Sequence, residues 1–367
     1  MRLSYALLRV AVFIGVFGVF AANLLVQSAV ANDKKSEDAQ AAKALLDKAS
    51  KVTNIEAAGA QPFLLVAKTS WTQYGKTTDG QFALAWQAAD RYRRETTLPG
   101  FLEAVVVHGN VLYRTRNIDF IPLAAFRPAA LIDVPHTFTA WPTKEMKIDN
   151  GSPKQLSGAT NFRCVSAVTE FMRASVRHIA CFDNSTGVPL LEQQQFSSGG
   201  EETLTYTDYV PLNASEFPRH VKYEDSTGAQ GEVEVVKLEA VTSFPDSTFQ
   251  RPAQSTEQPW CATPQASNAP ATDWVTDNWL EWRSGLTVQL EEPVAFVTVD
   301  AKGDVRNVAL FGELPDANGR AAVSTIRKDK FAVKTCGGTA VPYETIVRLI
   351  RTRSRGPVFI VEKPLTN

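Results

Sequence analysis

The chain has 367 residues, 44% of them apolar, and a formal net charge of −1. That length holds two domains with a core each. The near-neutral balance excludes the basic excess that marks a nucleic-acid binder.

Arg2 and Arg9 precede the apolar runs Val10–Phe20 and Ala21–Val26, and Ala29-Val30-Ala31 offers small residues for cleavage. Residues 1–31 therefore read as a secretory signal peptide, with Asn32 as the mature N-terminus. The run is also nearly long enough for an uncleaved membrane anchor; the small-residue site favours cleavage. No cysteine lies at the cleavage point, which disfavours a lipid-anchored lipoprotein.

An exported chain changes how its four cysteines read. Cys164 and Cys181 stand at the two ends of an expected hairpin and are expected to pair. Cys261 and Cys336 then pair by elimination, the alternative being free buried thiols.

Ser36 can cap a helix in which Ala42, Leu45, Leu46, Ala49 and Val52 follow the 3.6-residue period. Leu64–Ser70 is the first expected strand. A meander follows. Phe82, Leu84, Trp86 and Ala88 alternate with Ala83, Ala85 and Gln87, and beyond Asp90 a second alternation runs from Arg91 to Leu98. Pro99-Gly100 turns the chain into Leu102–Val107, and Gly109-Asn110 is a hairpin turn into Val111–Arg114.

Asn117–Trp141 differs in kind. Ile118, Phe120, Ile121, Leu123, Phe126, Leu131, Ile132, Val134 and Phe138 are interrupted by Pro122, Pro128 and Pro135, with Pro142 just beyond. Such spacing forbids one long helix and predicts short helices or loops laid over a surface. The segment is either a lid over an apolar cavity or an ordinary cover for the sheet. Phe82, Leu84 and Trp86 on the sheet, with Phe120, Ile121, Phe126, Leu131 and Ile132 on the cover, are the candidate ligand-cavity residues.

Strands resume at Phe162–Val168 and Ser175–Phe182, then Val188–Phe196, Thr203–Val210, His220–Glu224 and Glu232–Leu238. About ten strands before residue 240 predict a strongly curved antiparallel sheet or part-barrel.

The pattern resembles the outer-membrane lipoprotein-sorting fold shared by periplasmic lipoprotein carriers and anti-sigma-factor co-regulators (the LolA/RseB-like fold). Carrying the likeness are the N-terminal amphipathic helix, Trp86 with Asp90-Arg91-Tyr92-Arg93, and His108-Gly109-Asn110-Val111-Leu112-Tyr113. Phe182-Asp183, Thr186-Gly187-Val188-Pro189-Leu190, Tyr206–Val210 and Phe217-Pro218 add to it. The resemblance covers about residues 36–245. It implies a half-open antiparallel β-barrel covered by short helices, an apolar cavity suited to an acyl chain or lipoprotein, and a periplasmic or inner-membrane-anchored location.

Pro252, Pro259, Pro264 and Pro270 lie among Gln, Ser, Thr and Ala, which predicts a linker over 252–272. Thr272 starts a short helix with Val275, Trp279 and Trp282 on one face. Val294–Val299, Val305–Phe311, a helix over Asn318–Lys328, Lys330–Lys334 and Tyr343–Ile350 then follow in ββαββ order. That order resembles the TonB C-terminal domain through Val299, Gly303-Asp304-Val305, Ala321-Ala322, Ile326-Arg327, Lys330-Phe331, Gly338 and Ala340-Val341-Pro342. The aromatic-x-Pro-Ala core usual after the helix is here Phe331-Ala332-Val333, and Cys336 is an addition. The expectation is an α+β chain of four parts: the leader 1–31, a ligand-binding domain 32–251, a linker with its helix 252–284, and the TonB-like domain 285–367.

His108, His136, His178 and His220 fall in no metal-ligand spacing, and no G-x-S-x-G, P-loop or dinucleotide fingerprint is present. No catalytic group, metal or cofactor is expected. Tyr343, Ile346, Arg348 and Arg351 are candidate contacts to an envelope partner such as an outer-membrane transporter. Arg351, Arg353 and Arg355 alternate along one face, suited to anionic lipid or glycan, or to guarding a sheet edge. The expected function is a non-enzymatic envelope protein that binds a hydrophobic ligand. Its rivals are a TonB-type energy transducer, a lipid-sensing regulator of anti-sigma type and a purely structural interaction module.

Overall fold

A computed structural model describes residues 37–132 except 74, and 146–261 except 150, 152, 157–159, 172–173 and 198–199. It also describes 265–266 and 294–361 except 312–315 and 353–355. The leader, Ser36, Val134–Pro142, the Trp279 and Trp282 helix, Arg353 and Arg355 lie outside the described residues. The chain divides into two compact units, residues 1–50 with 137–199 and residues 51–136 with 200–367.

Helix α1 covers residues 37–53 and buries Ala42, Leu46 and Ala49, the apolar stripe expected of it. Five strands follow: β1 (Phe63–Gln73), β2 (Lys76–Ala88), β3 (Arg91–Leu98), β4 (Phe101–His108) and β5 (Val111–Arg116). Helix α2 is Leu123–Ile132. Then come β6 (Lys147–Asp149), β7 (Phe162–Phe171), β8 (Ala174–Asp183), β9 (Pro189–Phe196), β10 (Glu201–Leu212), β11 (Ser215–Asp225) and β12 (Gln230–Ala240). The C-terminal third holds β13 (Thr256–Pro259), β14 (Gln265–Ala266), β15 (Val294–Val299), β16 (Val305–Phe311), α3 (Asp316–Lys328), β17 (Lys334–Cys336), β18 (Thr339–Val341), β19 (Tyr343–Thr352) and β20 (Gly356–Val361).

In the larger unit the strand order is β13-β5-β4-β3-β2-β1-β12-β11-β10. The expected half-open barrel is instead a large open antiparallel sheet. Its first strand pairs with β12 along ten residues, so β1 lies inside the sheet rather than at a closing seam. Both faces of the meander are covered, which is why Val105, Val106 and Val107 are all buried in succession. One face carries Phe63, Leu65, Phe82, Leu84, Trp86 and Val105, with Phe63 stacked on Trp86 at 5.3 Å. The other carries Ala85 and Val106, covered by Phe244 and by Phe249 of the 3₁₀-helical turn at Asp246–Phe249.

Residues 252–260 are not a free linker. Thr256–Pro259 adds β13 to the exposed edge of β5, and the Trp260 N–H donates to the Asn110 carbonyl at 2.7 Å. An edge strand tolerates Pro259, since a missing N–H there breaks no interior ladder. Cys261 is bonded to Cys336, and β14 pairs with β17. The C-terminal strands belong to the same compact unit as the meander.

The C-terminal sheet runs β16-β15-β19-β20, with Ile326 of α3 buried among Ala295, Val297, Val299 and Tyr343. Lys330–Lys334 does not supply a strand to it. Lys330 makes only a bridge to Asp304, and β17 begins at Lys334 in a separate sheet β14-β17-β18. The reason lies at Gly303. Its carbonyl accepts from the Phe331 N–H at 2.9 Å, so Phe331 is held on the 300–304 turn rather than in a ladder. At φ +82°, a Cβ on Gly303 would meet the Phe331 carbonyl oxygen at 2.3 Å.

In the smaller unit the strand order is β9-β8-β7-β6. Cys164 and Cys181 stand directly opposite each other on β7 and β8 and are bonded, over a cluster of Ile179 and Leu191.

Two stability predictions follow from these contacts. Gly303→Ala should cost about 1–3 kcal/mol, because backbone rather than a flexible side chain blocks the new methyl; urea melts of the full chain read it. Replacing Cys164 and Cys181 together by serine should lower stability by about 3 kcal/mol, the chain-entropy value for a loop of that size. A double variant that melts like the parent would count against the bond.

Candidate functional site

The buried face of the meander and the helix above it are the place to look for a ligand. Strand alternation puts Phe82, Leu84 and Trp86 on one side of β2. Helix α2 packs across β1, β2, β3, β11 and β12. Of the eight cavity candidates, Phe120 is half-buried and the other seven are buried. Phe120, Ile121 and Phe126 join Leu98, Phe101 and Phe296 of β15 in one cluster, with Phe120 also 5.7 Å from the Phe311 ring. Leu131 comes down on the sheet beside Trp71, where a Cβ on Gly231 would meet the Trp71 ring at 2.8 Å and Leu131 at 3.2 Å. Gly231 thus lets the cover approach the strands closely.

The cover is a weak helix. Pro128 stands inside it, so the Ala124 carbonyl receives no bond from that position. Its first turn has no acid and its last turn no base to offset the helix dipole. It is held by the apolar contacts beneath it rather than by its own propensity.

A buried ionic network lies on the same face. The Gly109-Asn110 turn fixes a register in which Glu103 faces Arg116 and Val105 faces Arg114. Arg116 donates through Nε to Glu103 at 2.9 Å, and through Nη1 and Nη2 to both oxygens of Glu344 on β19 at 3.0 and 2.9 Å. Its guanidinium also stands 5.7 Å over the Phe296 ring. Arg114 Nη1 reaches Glu344 at 3.1 Å, and Arg94 Nη2 stands 3.9 Å from Glu103. Burial alone would raise the Glu103 carboxyl. Arg94, Arg116 and Arg114 outweigh it and hold the group below the usual carboxylate range. Burial raises the nearby Tyr92 phenol and keeps it neutral, although Arg94 opposes the shift.

Of the four partner candidates, Tyr343 is buried in the C-terminal core and donates to the Ala332 carbonyl at 2.8 Å. Burial pushes its phenol up to about 12. It is a core residue, not a surface contact. Ile346, Arg348 and Arg351 lie on β19, between β15 and β20; their side chains are outside the described residues. The ionic network escaped the sequence reading, which took Arg91–Leu98 only as a second alternating strand. The signal available was the hairpin register, which sets Glu103 and Arg116 opposite each other.

The smaller unit has a shallow polar depression lined by Asp149, Gly151, Arg177, Gln193 and Gln195. Asp149 and Arg177 pair there at 2.6 Å. Among the described residues no three His, Cys, Asp or Glu side chains gather as a metal site.

No protein-family model matches the chain, nor does any curated protein. Solved structures similar to it include the LolA superfamily protein NE2245 from Nitrosomonas europaea, at 12% identity and a TM-score of 0.35, covering 57% of this chain and 97% of that one. A putative outer-membrane lipoprotein-sorting protein domain from Vibrio parahaemolyticus is 11% identical over 58% of this chain and 97% of its own, with a TM-score of 0.33. MucB is 12% identical over 89% of this chain and 94% of its own, with a TM-score of 0.27. Similarity at this level leaves the function to be argued from the chain's own residues.

Removing Arg116 would take its hydrogen bonds from two buried carboxylates and leave them only Arg114 and the more distant Arg94. Arg116→Met is expected to cost about 3–5 kcal/mol. A group held below its unfolded value stabilises the fold above that value, and the contribution is lost as pH falls through the lowered one. Without Arg116 the Glu103 value rises, so acid unfolding of the variant should begin at higher pH than in the parent. Fluorescence-monitored acid titration checks this, and coincident midpoints would refute it.

Proposed function

We propose that this chain is a non-enzymatic cell-envelope protein that holds an acyl chain, free or as part of a lipoprotein, between the large sheet and its helical cover. The observation that carries the reading is the pairing of a continuous apolar face, Phe63 to Trp86, with a helix that carries Pro128 in its interior. An acyl chain can replace the contacts of such a helix, because each displaced side chain meets another apolar surface. The arrangement described above is then the closed, empty form. The likeness to lipoprotein-sorting proteins, in sequence pattern and among the solved structures, runs in the same direction, as does an exported, periplasmic setting.

In this reading the C-terminal strands, with their likeness to the TonB C-terminal domain, contact an envelope partner. A TonB-type energy transducer remains the main rival. It needs a long free arm, whereas residues 256–261 are tied down by β13 and the bond from Cys261 to Cys336. The lipid-sensing reading has a specific observation in its favour. Glu344 joins the C-terminal sheet to the face that would take the ligand, so ligand and partner would act on shared elements.

Native mass spectrometry of protein purified without detergent should show a lipid adduct. Leu84→Asp should abolish binding of an acyl probe. Pro128→Ala restores the missing helix bond, worth about 3 kcal/mol in a helix interior, and should tighten the cover and weaken probe binding. A parent protein that binds no acyl probe, together with a loss of about 2–5 kcal/mol for Leu84→Ala, would leave a packed interaction domain in its place.

A further inference from the structure

The face assigned to the acyl chain is not apolar throughout. Leu84 stands in one cross-strand row with Arg94 on β3, Val105 on β4 and Arg114 on β5. The next row holds Phe82, Thr96, Glu103 and Arg116. Directly opposed side chains in such rows are about 4.5–5.5 Å apart at Cβ, so the arginines begin where the apolar half ends.

Charge is unbalanced in this cluster. Arg94, Arg114 and Arg116 face Glu103 and Glu344, leaving one formal positive charge on largely buried side chains. Arg116 is engaged by the two carboxylates through four hydrogen bonds. The other two arginines are less well served. Arg94 reaches Glu103 only at 3.9 Å, with its side chain 15% exposed. Arg114 Nε is buried without a hydrogen-bond partner, its nearest carboxylate oxygen being 3.6 Å away. Tyr92, in the row next to Leu84 and Arg94, is held neutral and adds no charge.

We infer that Arg94 and Arg114 receive the carboxylate of a long-chain fatty acid whose tail lies along Leu84, Phe82 and Trp86. This rests on the acyl-binding reading above and adds the ligand class. A single negative charge neutralises the cluster, whereas a doubly charged phosphate monoester would overshoot it. Guanidinium groups also match a carboxylate in planar geometry, so a pair of under-served arginines favours the acid over its uncharged analogues.

The test uses the full chain and an uncharged fluorescent probe, N-phenyl-1-naphthylamine, displaced by myristate, 1-tetradecanol or tetradecyl phosphate. Myristate should displace the probe at about tenfold lower concentration than the alcohol, the discrimination that one charge-assisted contact provides. Arg94→Gln should remove that difference while leaving displacement by the alcohol unchanged, and Arg94→Lys should keep most of it. Equal displacement by acid and alcohol in the parent protein would overturn the carboxylate site and leave the acyl reading standing. Displacement by neither would sink the acyl reading itself. A tetradecyl phosphate that outcompetes myristate would overturn the assignment to a carboxylate. If Arg94→Gln fails to fold by circular dichroism, the comparison of ligands on the parent protein decides.

Discussion

Arg116 sits at the end of β5 with one guanidinium shared between Glu103 on the neighbouring strand and Glu344 on β19. Burying three charges costs several kcal/mol per ion, and the cost is met only when geometry and hydrogen bonds are nearly complete. They are nearly complete for Arg116, four of whose five N–H groups bond to the two carboxylates and which also lies over Phe296. That side chain therefore fixes where the C-terminal sheet meets the meander. Phe296 enters the cluster of Phe101, Ile121 and Phe126 because β15 and β19 are neighbours and Glu344 positions β19. An apolar contact alone would tolerate sliding. A bidentate ion pair does not.

The same network shapes what the apolar face can do. On β1 and β2 the face presents hydrocarbon and aromatic surface apart from Thr69; one and three strands beyond β2, guanidinium groups of Arg94 and of Arg114 and Arg116 appear. Helix α2 covers this face without strong propensity of its own, and Gly231 lets it come close. A tight but weakly self-stabilised cover above a graded surface is the physical content of the proposed function.

The edge of the sheet is handled separately. β5 would expose a row of unpaired backbone groups, a template for association with other chains. β13 covers it, and Trp260 packs edge-on against Tyr92 at 5.8 Å. The bond from Cys261 to Cys336 then ties the covering segment to β17. Prolines that look like linker punctuation in the sequence are here the flanks of a short edge strand.

Much of this was legible in advance where local rules suffice. The period of two along Phe82–Trp86, the Gly109-Asn110 hairpin and the apolar spacing of α1 each specify an element from a few neighbouring residues. The partners within each of the two cysteine pairs followed from their places in the chain. What the sequence alone determined, then, was the run of antiparallel strands, a proline-interrupted cover and which side chains face inward. Tertiary structure decided the rest. It placed β1 beside β12, turned residues 256–259 into a strand, moved Phe331 out of the C-terminal sheet and gathered Arg94, Arg114 and Arg116 around two carboxylates. These outcomes depend on contacts between residues tens to hundreds of positions apart, such as Arg116 with Glu344. Alternation within one strand shows which way a side chain points, but not what will be waiting there.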